Sequence, residues 1–382
     1  MLKRKWLGSL LNFLVPGLGQ FYARKTKKGI LIYILFFVVV FSLRFISYNF
    51  LLFLVSVSLI FGYYLYLIIG GYREVEKSKK YESTRFDRWY VYIIIFLIHL
   101  TFVNLIDGRT IDRLTPINFA SIPTPAMDPT LQIGDILAFK KTKFIEREDV
   151  IIFQFPDDIK TMFIKRCIGI PGDSLKIINS TVLINGVPMT DITLKFKYLL
   201  KTNGIEINRS VLDKNKLGEN DYSRISSDIY QFYLTERQAS DLKKIELFNN
   251  IELSVAKEGE REYMIYPKSE IHSWNTDYYG PIYIPKMGDR IQLTEKNIDA
   301  YFKCIAFENE SVERDDMGLI INGQSTTSYQ FKENYYFMMG DNRHNSLDSR
   351  YWGFLPHELV IGKALYLYWS QTTDRIGKRL SE

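Results

Sequence analysis

The chain has 382 residues, a formal net charge of +6 and a hydrophobic fraction of 47%. Residues 1–110 hold 15 Lys and Arg against 5 Asp and Glu, so the basic excess indicates membrane orientation and excludes a nucleic-acid-binding surface as its cause. Two cysteines, Cys167 and Cys304, are too few for a dense disulfide framework. We expect two free thiols packed in a core, although the sequence alone leaves their pairing open.

Three long apolar stretches lie in the first 110 residues and predict a membrane anchor of three transmembrane helices. They cover residues 29–43, 50–70 and 89–106. A turn near residues 44–49 is required, because a single helix over the first two stretches would be about twice as long as a bilayer is thick.

An earlier apolar stretch, residues 6–22, is interrupted at Pro16 and Gly17, which favours an interfacial or re-entrant helix. His99 lies in the third predicted span. It is either functional or a neutral histidine that faces a neighbouring helix, and we favour the second interpretation.

Lysine and arginine are distributed unevenly around these spans. Seven precede the first span and six lie between the second and the third, whereas Arg44 and Arg109 stand alone on the other side. The positive-inside rule therefore predicts a cytoplasmic amino terminus, with everything after about Asp107 outside.

The remainder of the chain predicts a mostly-β soluble domain, because short apolar runs alternate with turn residues from Phe119 onward. Strands are expected at residues 135–139, 149–153, 163–168, 175–184, 335–339 and 364–369. We predict a coiled β-sheet core from residues 111–189 and 321–370. The predicted insertion is a large accessory lobe at residues 190–320, and residues 371–382 are predicted to be a solvated tail.

Residues 121–131, SIPTPAMDPTL, follow the last predicted span. Pro123 and Pro125 hold this segment extended, since proline fixes its own φ and restricts the preceding residue. The segment is either a stiffened linker or a device that presents one short side chain, anchored by the apolar Met127 and Leu131.

A second motif, FIKRCIGIPGD, occupies residues 163–173 and places Lys165 in an apolar strand. Alternation puts Lys165 on the same face as Phe163 and Cys167. The lysine either snorkels at a sheet edge or is buried for a chemical purpose. Burial lowers the pKa of a lysine, and a neutral amine can accept a proton from a hydroxyl.

A third motif, GDNRHNSLDSR at residues 340–350, is followed by Tyr-Trp-Gly. Alone it is compatible with a hydrogen-bonded surface loop. Together, however, the three motifs resemble the boxes of bacterial type I signal peptidases, in order and in their place after membrane anchors. These are Ser/Lys proteases, and the resemblance covers about residues 120–370, with the middle insert only weakly matched.

The resemblance implies a role for each matching residue. Lys165 falls on the general base, and Ser346 on the serine that orients its amine. Thr124 falls on the hydroxyl residue that completes the oxyanion hole with the backbone N–H of the nucleophile position. Asp348 and Arg350 fall on a structural ion pair beside the site.

Substrate-binding positions follow from the same resemblance. Ile122 and Ile164 fall on the walls of the small pockets that accept Ala-like side chains at positions −1 and −3 of a signal peptide. Met127 and Leu131 complete the predicted substrate-binding set, and an apolar patch near them is expected to face the bilayer.

Ala126 stands where the family has its nucleophilic serine, so the chain as written cannot form an acyl-enzyme. Two interpretations remain: a signal peptidase whose serine was replaced so that substrate binds uncut, or a natural inactive relative that serves as a membrane-anchored binding or assembly subunit. A cytosolic Ser/Lys self-cleaving regulator is excluded by the predicted spans.

The implied partners are signal peptides of exported preproteins and the lipid bilayer, with no nucleic acid. The implied location is the bacterial cytoplasmic (inner) membrane, with the catalytic domain on the periplasmic or extracytoplasmic side. No cofactor and no metal are expected, because the sequence contains no metal-ligand cluster, phosphate loop or nucleotide fingerprint.

Overall fold

A computed structural model describes residues 4–46, 50–77, 88–105, 115–190, 193–202, 204, 206–215, 217–248, 250–314 and 318–380. The chain divides into two compact units, Met1–Phe119 and Ala120–Glu382. Of the basic residues predicted between the second and third spans, Arg73 and Lys77 lie in a helix that ends at Lys77, and Arg88 is also described. Lys79, Lys80, Arg85 and Asp107 lie outside the described residues.

The first unit is helical. Its helices are α1 (Lys5–Leu14), α2 (Leu18–Tyr22), α3 (Thr26–Ile46), α4 (Phe50–Lys77) and α5 (Trp89–Leu105). By length and composition, α4 is the one helix among the described residues that could cross a membrane, and the apolar stretch of α5 is shorter. The helices α3, α4 and α5 lie where three spans are predicted, and the number of spans stays a prediction.

The break predicted at Pro16 and Gly17 is confirmed, because α1 ends at Leu14 and Gly17 has a φ of +90° before α2 begins. The buried Asn12 stabilises this break. Its side chain donates to the carbonyl of Leu67 and accepts a hydrogen bond from the N–H of Gly19 at 2.7 Å. His99 contacts the neighbouring helix α3 through the hydroxyl of Tyr33 at 3.1 Å, as expected.

The second unit is mostly β, which confirms the predicted fold class of apolar helices followed by a mostly-β domain. Its helices are α6 (Arg209–Lys214), α7 (Glu236–Lys243), α8 (Ile298–Glu308) and α9 (Ser349–Trp352). Its strands, including one that begins just before the boundary, are β1 (Ile117–Ser121), β2 (Ile136–Lys141), β3 (Val150–Phe155), β4 (Asp158–Gly169), β5 (Ser174–Ile178), β6 (Thr181–Ile184), β7 (Val187–Pro188), β8 (Lys195–Lys201), β9 (Tyr222–Arg224), β10 (Ile229–Thr235), β11 (Glu252–Leu253), β12 (Tyr279–Tyr283), β13 (Arg290–Gln292), β14 (Val312–Arg314), β15 (Leu319–Ile321), β16 (Gln324–Thr326), β17 (Ser328–Gln330), β18 (Tyr335–Met339), β19 (Leu355–Pro356) and β20 (Val360–Trp369).

A seven-stranded sheet in the order β1-β2-β20-β3-β4-β18-β19 forms the centre of this unit. Its middle strand β3 is a continuous apolar run because both faces of the sheet are covered. Val150 and Ile152 pack in one apolar cluster, and Ile151 and Phe153 pack in another on the opposite face. Smaller sheets β12-β5-β6-β7, β13-β17 and β14-β15-β16 lie outside it.

The predicted insert contains two different parts. Strands β8 to β11 form a four-stranded sheet with its own core, which includes Leu200, Phe232 and Phe248. The later part, with Tyr279 and α8, packs instead into the cluster that contains residues of β5, β6 and β18. We call the part at residues 193–254 the inserted lobe below. The domain boundaries themselves stay predictions.

Two expectations are wrong. The single strand predicted at residues 175–184 is a hairpin, because Asn179 and Ser180 both adopt positive φ, at 48° and 65°, and turn β5 into β6. The tail is not simply solvated, because Leu380 is only 7% exposed and packs in the core cluster with Met127.

Candidate active site

The first motif forms a short turn that carries position 126. Thr124 is extended and exposed, and residues Pro125–Met127 form one 3-10 turn. Met127 and Leu131 are 2% and 0% exposed and anchor the turn in the core. Ala126 is 6% exposed, and its carbonyl accepts a hydrogen bond from the N–H of Asn342 at 3.1 Å. The first and third motifs are therefore joined directly.

Lys165 on β4 is buried, with 5% of its surface exposed. Its Nζ donates to the carbonyl of Ile164 at 3.1 Å and lies 5.0 Å from the ring centre of Phe163. Burial lowers the pKa of Lys165 from 10.5 to about 8, against the opposing effect of the carboxylates of Asp348 and Asp341. The structure thus selects the buried alternative over a lysine that snorkels into solvent.

The pairing of β4 with β18 brings the third motif to Lys165. Met338 pairs with Cys167 and Met339 with Arg166, and β18 ends there, so the third motif begins beside the strand that carries Lys165. A Cβ at Gly340 would lie 2.2 Å from Ser346 Oγ and 2.5 Å from the carbonyl oxygen of Ala126. Position 126 and Ser346 therefore converge on Gly340, which directly follows the residue paired with Arg166, the neighbour of Lys165.

Ser346 is 7% exposed, and its Oγ has no hydrogen-bond partner among the described residues. A buried hydroxyl normally has one, so this oxygen is available to a neighbouring donor or acceptor. The predicted contact with the amine of Lys165 is not formed here, and the orienting role of Ser346 stays a prediction.

Two buried ion pairs hold the loop of the third motif in place. Arg350 donates to Asp348 at 2.9 and 2.8 Å, and Asp348 also accepts from the N–H of Gly340 at 3.2 Å. These contacts hold the pKa of Asp348 below its usual value, although burial opposes them. Arg166 donates to Asp341 at 2.8 Å. The loop is therefore fixed by charge-assisted hydrogen bonds on both sides of Ser346.

The predicted substrate-binding residues lie together but differ in access. Ile122, Met127 and Leu131 share one core cluster, and each is at most 3% exposed. Ile164 is half-buried and packs against the same cluster. Met127 and Leu131 cannot themselves form the apolar patch expected near them, because they fill the core; neighbouring Ile133 is 39% exposed.

Sequence reasoning missed several charged residues around the site. Arg166 and Asp341 lie within the quoted motifs, and their charges beside apolar strands could have drawn attention. Lys195, which contacts Asp128 just after the turn, had no local signal because its partners are distant in sequence. Among the described residues, no group of three or more His, Cys, Asp or Glu could hold a metal ion.

Comparison with known proteins gives concordant results. A model of the family "Signal peptidase, peptidase S26" matches residues 89–247 and 286–369. Signal peptidase I of Buchnera aphidicola subsp. Baizongia pistaciae is 24% identical over 308 residues, which are 76% of this chain and 78% of that protein. Signal peptidase I of Aquifex aeolicus is 26% identical over 261 residues, 65% of this chain and 75% of that protein.

A signal peptidase I from Buchnera aphidicola subsp. Schizaphis graminum is 28% identical over 265 residues, 65% of this chain and 67% of that protein. Among solved structures, a signal peptidase I from Enterococcus faecalis V583 is 18% identical and covers 58% of this chain and 96% of that chain, with a TM-score of 0.21.

Proposed function

Because this chain belongs to the signal peptidase family, peptidase S26, we propose that it is a membrane-bound signal peptidase I whose nucleophile position holds alanine. Its substrates are the signal peptides of exported preproteins, with small residues at positions −1 and −3. The observation that carries the proposal is the buried amine of Lys165, with a pKa of about 8, on the strand that pairs with β18, whose end leads directly into the third motif.

The proposed chemistry requires a serine at position 126. Lys165 in its neutral form takes the proton of that hydroxyl while the oxygen attacks the carbonyl carbon of residue −1. The backbone N–H of position 126 and the hydroxyl of Thr124 donate to the oxyanion. The protonated amine then gives its proton to the leaving amine, and water, activated by the same lysine, hydrolyses the acyl-enzyme.

With Ala126 the same groups bind a signal peptide and leave it uncut. Holding the amine of Lys165 in the core, where its pKa falls from 10.5 to about 8, destabilises the fold by about 3 kcal/mol at neutral pH. A chain that never cleaved would not need this lysine. The retained lysine therefore favours a peptidase with a replaced nucleophile over a natural inactive subunit.

The decisive experiment restores the hydroxyl. Ala126→Ser should cleave a membrane-inserted preprotein after an Ala-x-Ala sequence, whereas the parent chain should bind it without product. Lys165→Met in the Ala126→Ser background should reduce turnover about a million-fold, as loss of a member of a catalytic pair does. Lys176→Met, which alters an exposed lysine on β5, is the matched control and should retain the activity.

Absence of cleavage by Ala126→Ser would instead favour the inactive membrane-anchored subunit. In that case the parent chain should co-purify with a stable partner that is not a signal peptide. Pull-down from solubilised membranes followed by mass spectrometry would identify it.

A further inference from the structure

The inserted lobe begins beside the loop of the third motif. Lys195, the first residue of β8, donates its N–H to the carbonyl of Asp341 at 2.9 Å. The carbonyl of Lys195 accepts from the N–H of Arg343 at 2.8 Å, so Lys195 pairs with Asn342 as in a parallel sheet. The backbone of the lobe therefore holds the segment that leads to Ser346.

The side chain of the same residue reaches the turn at position 126. Lys195 is 3% exposed, and its Nζ donates to Asp128 at 2.6 Å and also to Asp221. Asp128 follows Ala126 by two residues and is 8% exposed. One residue of the lobe thus holds both the turn and the loop.

The contact between Lys195 and Asp128 is electrostatically important to both groups. Burial raises the pKa of Asp128, and the amine of Lys195 opposes this effect. The other carboxylate oxygen of Asp128 is buried without a hydrogen-bond partner among the described residues. Lys195 therefore supplies the compensation that keeps this carboxylate fixed in the core.

The turn and the loop are also hydrogen-bonded to each other, so Lys195, the turn and the loop are joined pairwise. Asn342 donates its N–H to the carbonyl of Ala126 at 3.1 Å and its side-chain amide to the carbonyl of Pro125 at 3.2 Å. We propose that Lys195 is a positioning residue, which fixes the turn at position 126 against the loop that carries Ser346. The catalytic part of this inference rests on the proposed function, and it gives the inserted lobe a role in turnover.

The first test uses the full chain as written, in detergent micelles, and needs no activity. Lys195→Met keeps the backbone pairing of β8 but removes the contact with Asp128. Hydrogen exchange followed by mass spectrometry should show at least tenfold faster exchange in peptides that cover residues 122–131. Lys195→Arg, which keeps the charge, should remain close to the parent.

Lys363→Met is the matched control, because Lys363 also pairs with a buried carboxylate, Asp149, which is not part of the measured segment 122–131. It should leave exchange of residues 122–131 unchanged. If Lys195→Met does not fold, Asp128→Asn removes the charge of Asp128, and with it the same ion pair, and leaves Lys195 paired with Asp221. Exchange of residues 122–131 that is no faster than in Lys363→Met would overturn the inference.

The second test measures kinetics in the Ala126→Ser background. Lys195→Met should lower kcat 10- to 100-fold and change KM by less than about threefold, since a small misplacement of reacting groups has effects of this size. The double variant Lys195→Met/Asp128→Asn should be no slower than the slower single variant, because both changes remove the same ion pair.

If the losses of kcat in the two single variants multiplied in the double variant, the two residues would not act through this pair. A rise in KM with kcat unchanged would also contradict a positioning role. The two tests also separate the two proposals. If Ala126→Ser does not cleave, the proposed function fails, and the exchange experiment still decides whether Lys195 holds the turn.

Discussion

Lys165 shows what burial does to a single ionisable residue. Its alternating strand position predicts which face it occupies, but not whether the amine reaches water. The structure places it in the core beside Phe163, where its pKa falls to about 8. The amine is consequently uncharged at a pH where an exposed lysine is protonated.

The shifted pKa of Lys165 predicts a pH-dependent stability. The unfolded chain has a lysine pKa near 10.5 and the folded chain one of about 8, so the unfolded chain binds more protons between these values. The destabilising effect is complete below about pH 8 and disappears as the pH rises towards 10.5. Lys165→Met should therefore raise the free energy of unfolding by up to about 3 kcal/mol at pH 7, and the gain should shrink by pH 10.

Urea unfolding at pH 7 and pH 10 measures this gain. The exposed Lys176→Met should show no such gain at either pH. An equal gain for Lys165→Met at both pH values would mean that folding does not lower the pKa of Lys165.

At the scale of elements, the junction of β4, β18 and the turn at position 126 depends on one glycine. The apolar strands β3, β4 and β18 are recognisable from composition, since they are buried runs between turn residues. Their register is not recognisable, although it is the register that sets Met339 opposite Arg166 and brings the start of the third motif beside the strand of Lys165. Gly340 is needed because its neighbours approach closer than any Cβ allows.

Gly340→Ala should push Ser346 and the carbonyl of Ala126 apart and destabilise the fold by about 1–3 kcal/mol, as overpacking does. In the Ala126→Ser background it should also lower kcat more than 100-fold, a loss expected of misplaced reacting groups. Thermal unfolding and preprotein cleavage measure the two effects.

Gly218→Ala is the control for this substitution. Its Cβ would meet nothing closer than 3.7 Å, so neither stability nor cleavage should change appreciably. Gly340→Ala with parental stability and activity would show that the junction is not as tight as the distances indicate.

At the scale of the whole molecule, charge and hydrophobicity predict orientation. The described helices agree in position with the predicted spans, and the family of the chain is membrane-anchored. The side of the membrane on which each unit lies stays a prediction of the basic-residue distribution.

Labelling of cysteines introduced one at a time tests this orientation. Cys167 and Cys304 are free but buried, and burial raises the pKa of both thiols, so the parent should not react with a membrane-impermeant maleimide. Lys160→Cys, at an exposed position of β4, should be labelled in cells whose outer envelope has been permeabilised and whose cytoplasmic membrane is intact. Lys27→Cys, exposed at the start of α3, should be labelled only after lysis, and the reverse pattern would invert the proposed topology.

The sequence by itself determined the apolar helices, the mostly-β class, most strands and the three motifs, because each of these depends on residues close together in the chain. The strand predicted at residues 175–184 was wrong, because two residues with positive φ make a hairpin there. The solvated tail was also wrong, because Leu380 packs in the core. Only the tertiary structure decided that Lys165 is buried, that Gly340 lies between Ser346 and the carbonyl of Ala126, and that Lys195 contacts both the turn at position 126 and the loop of the third motif. These facts depend on strand register and on contacts between residues far apart in the chain, which no local pattern encodes.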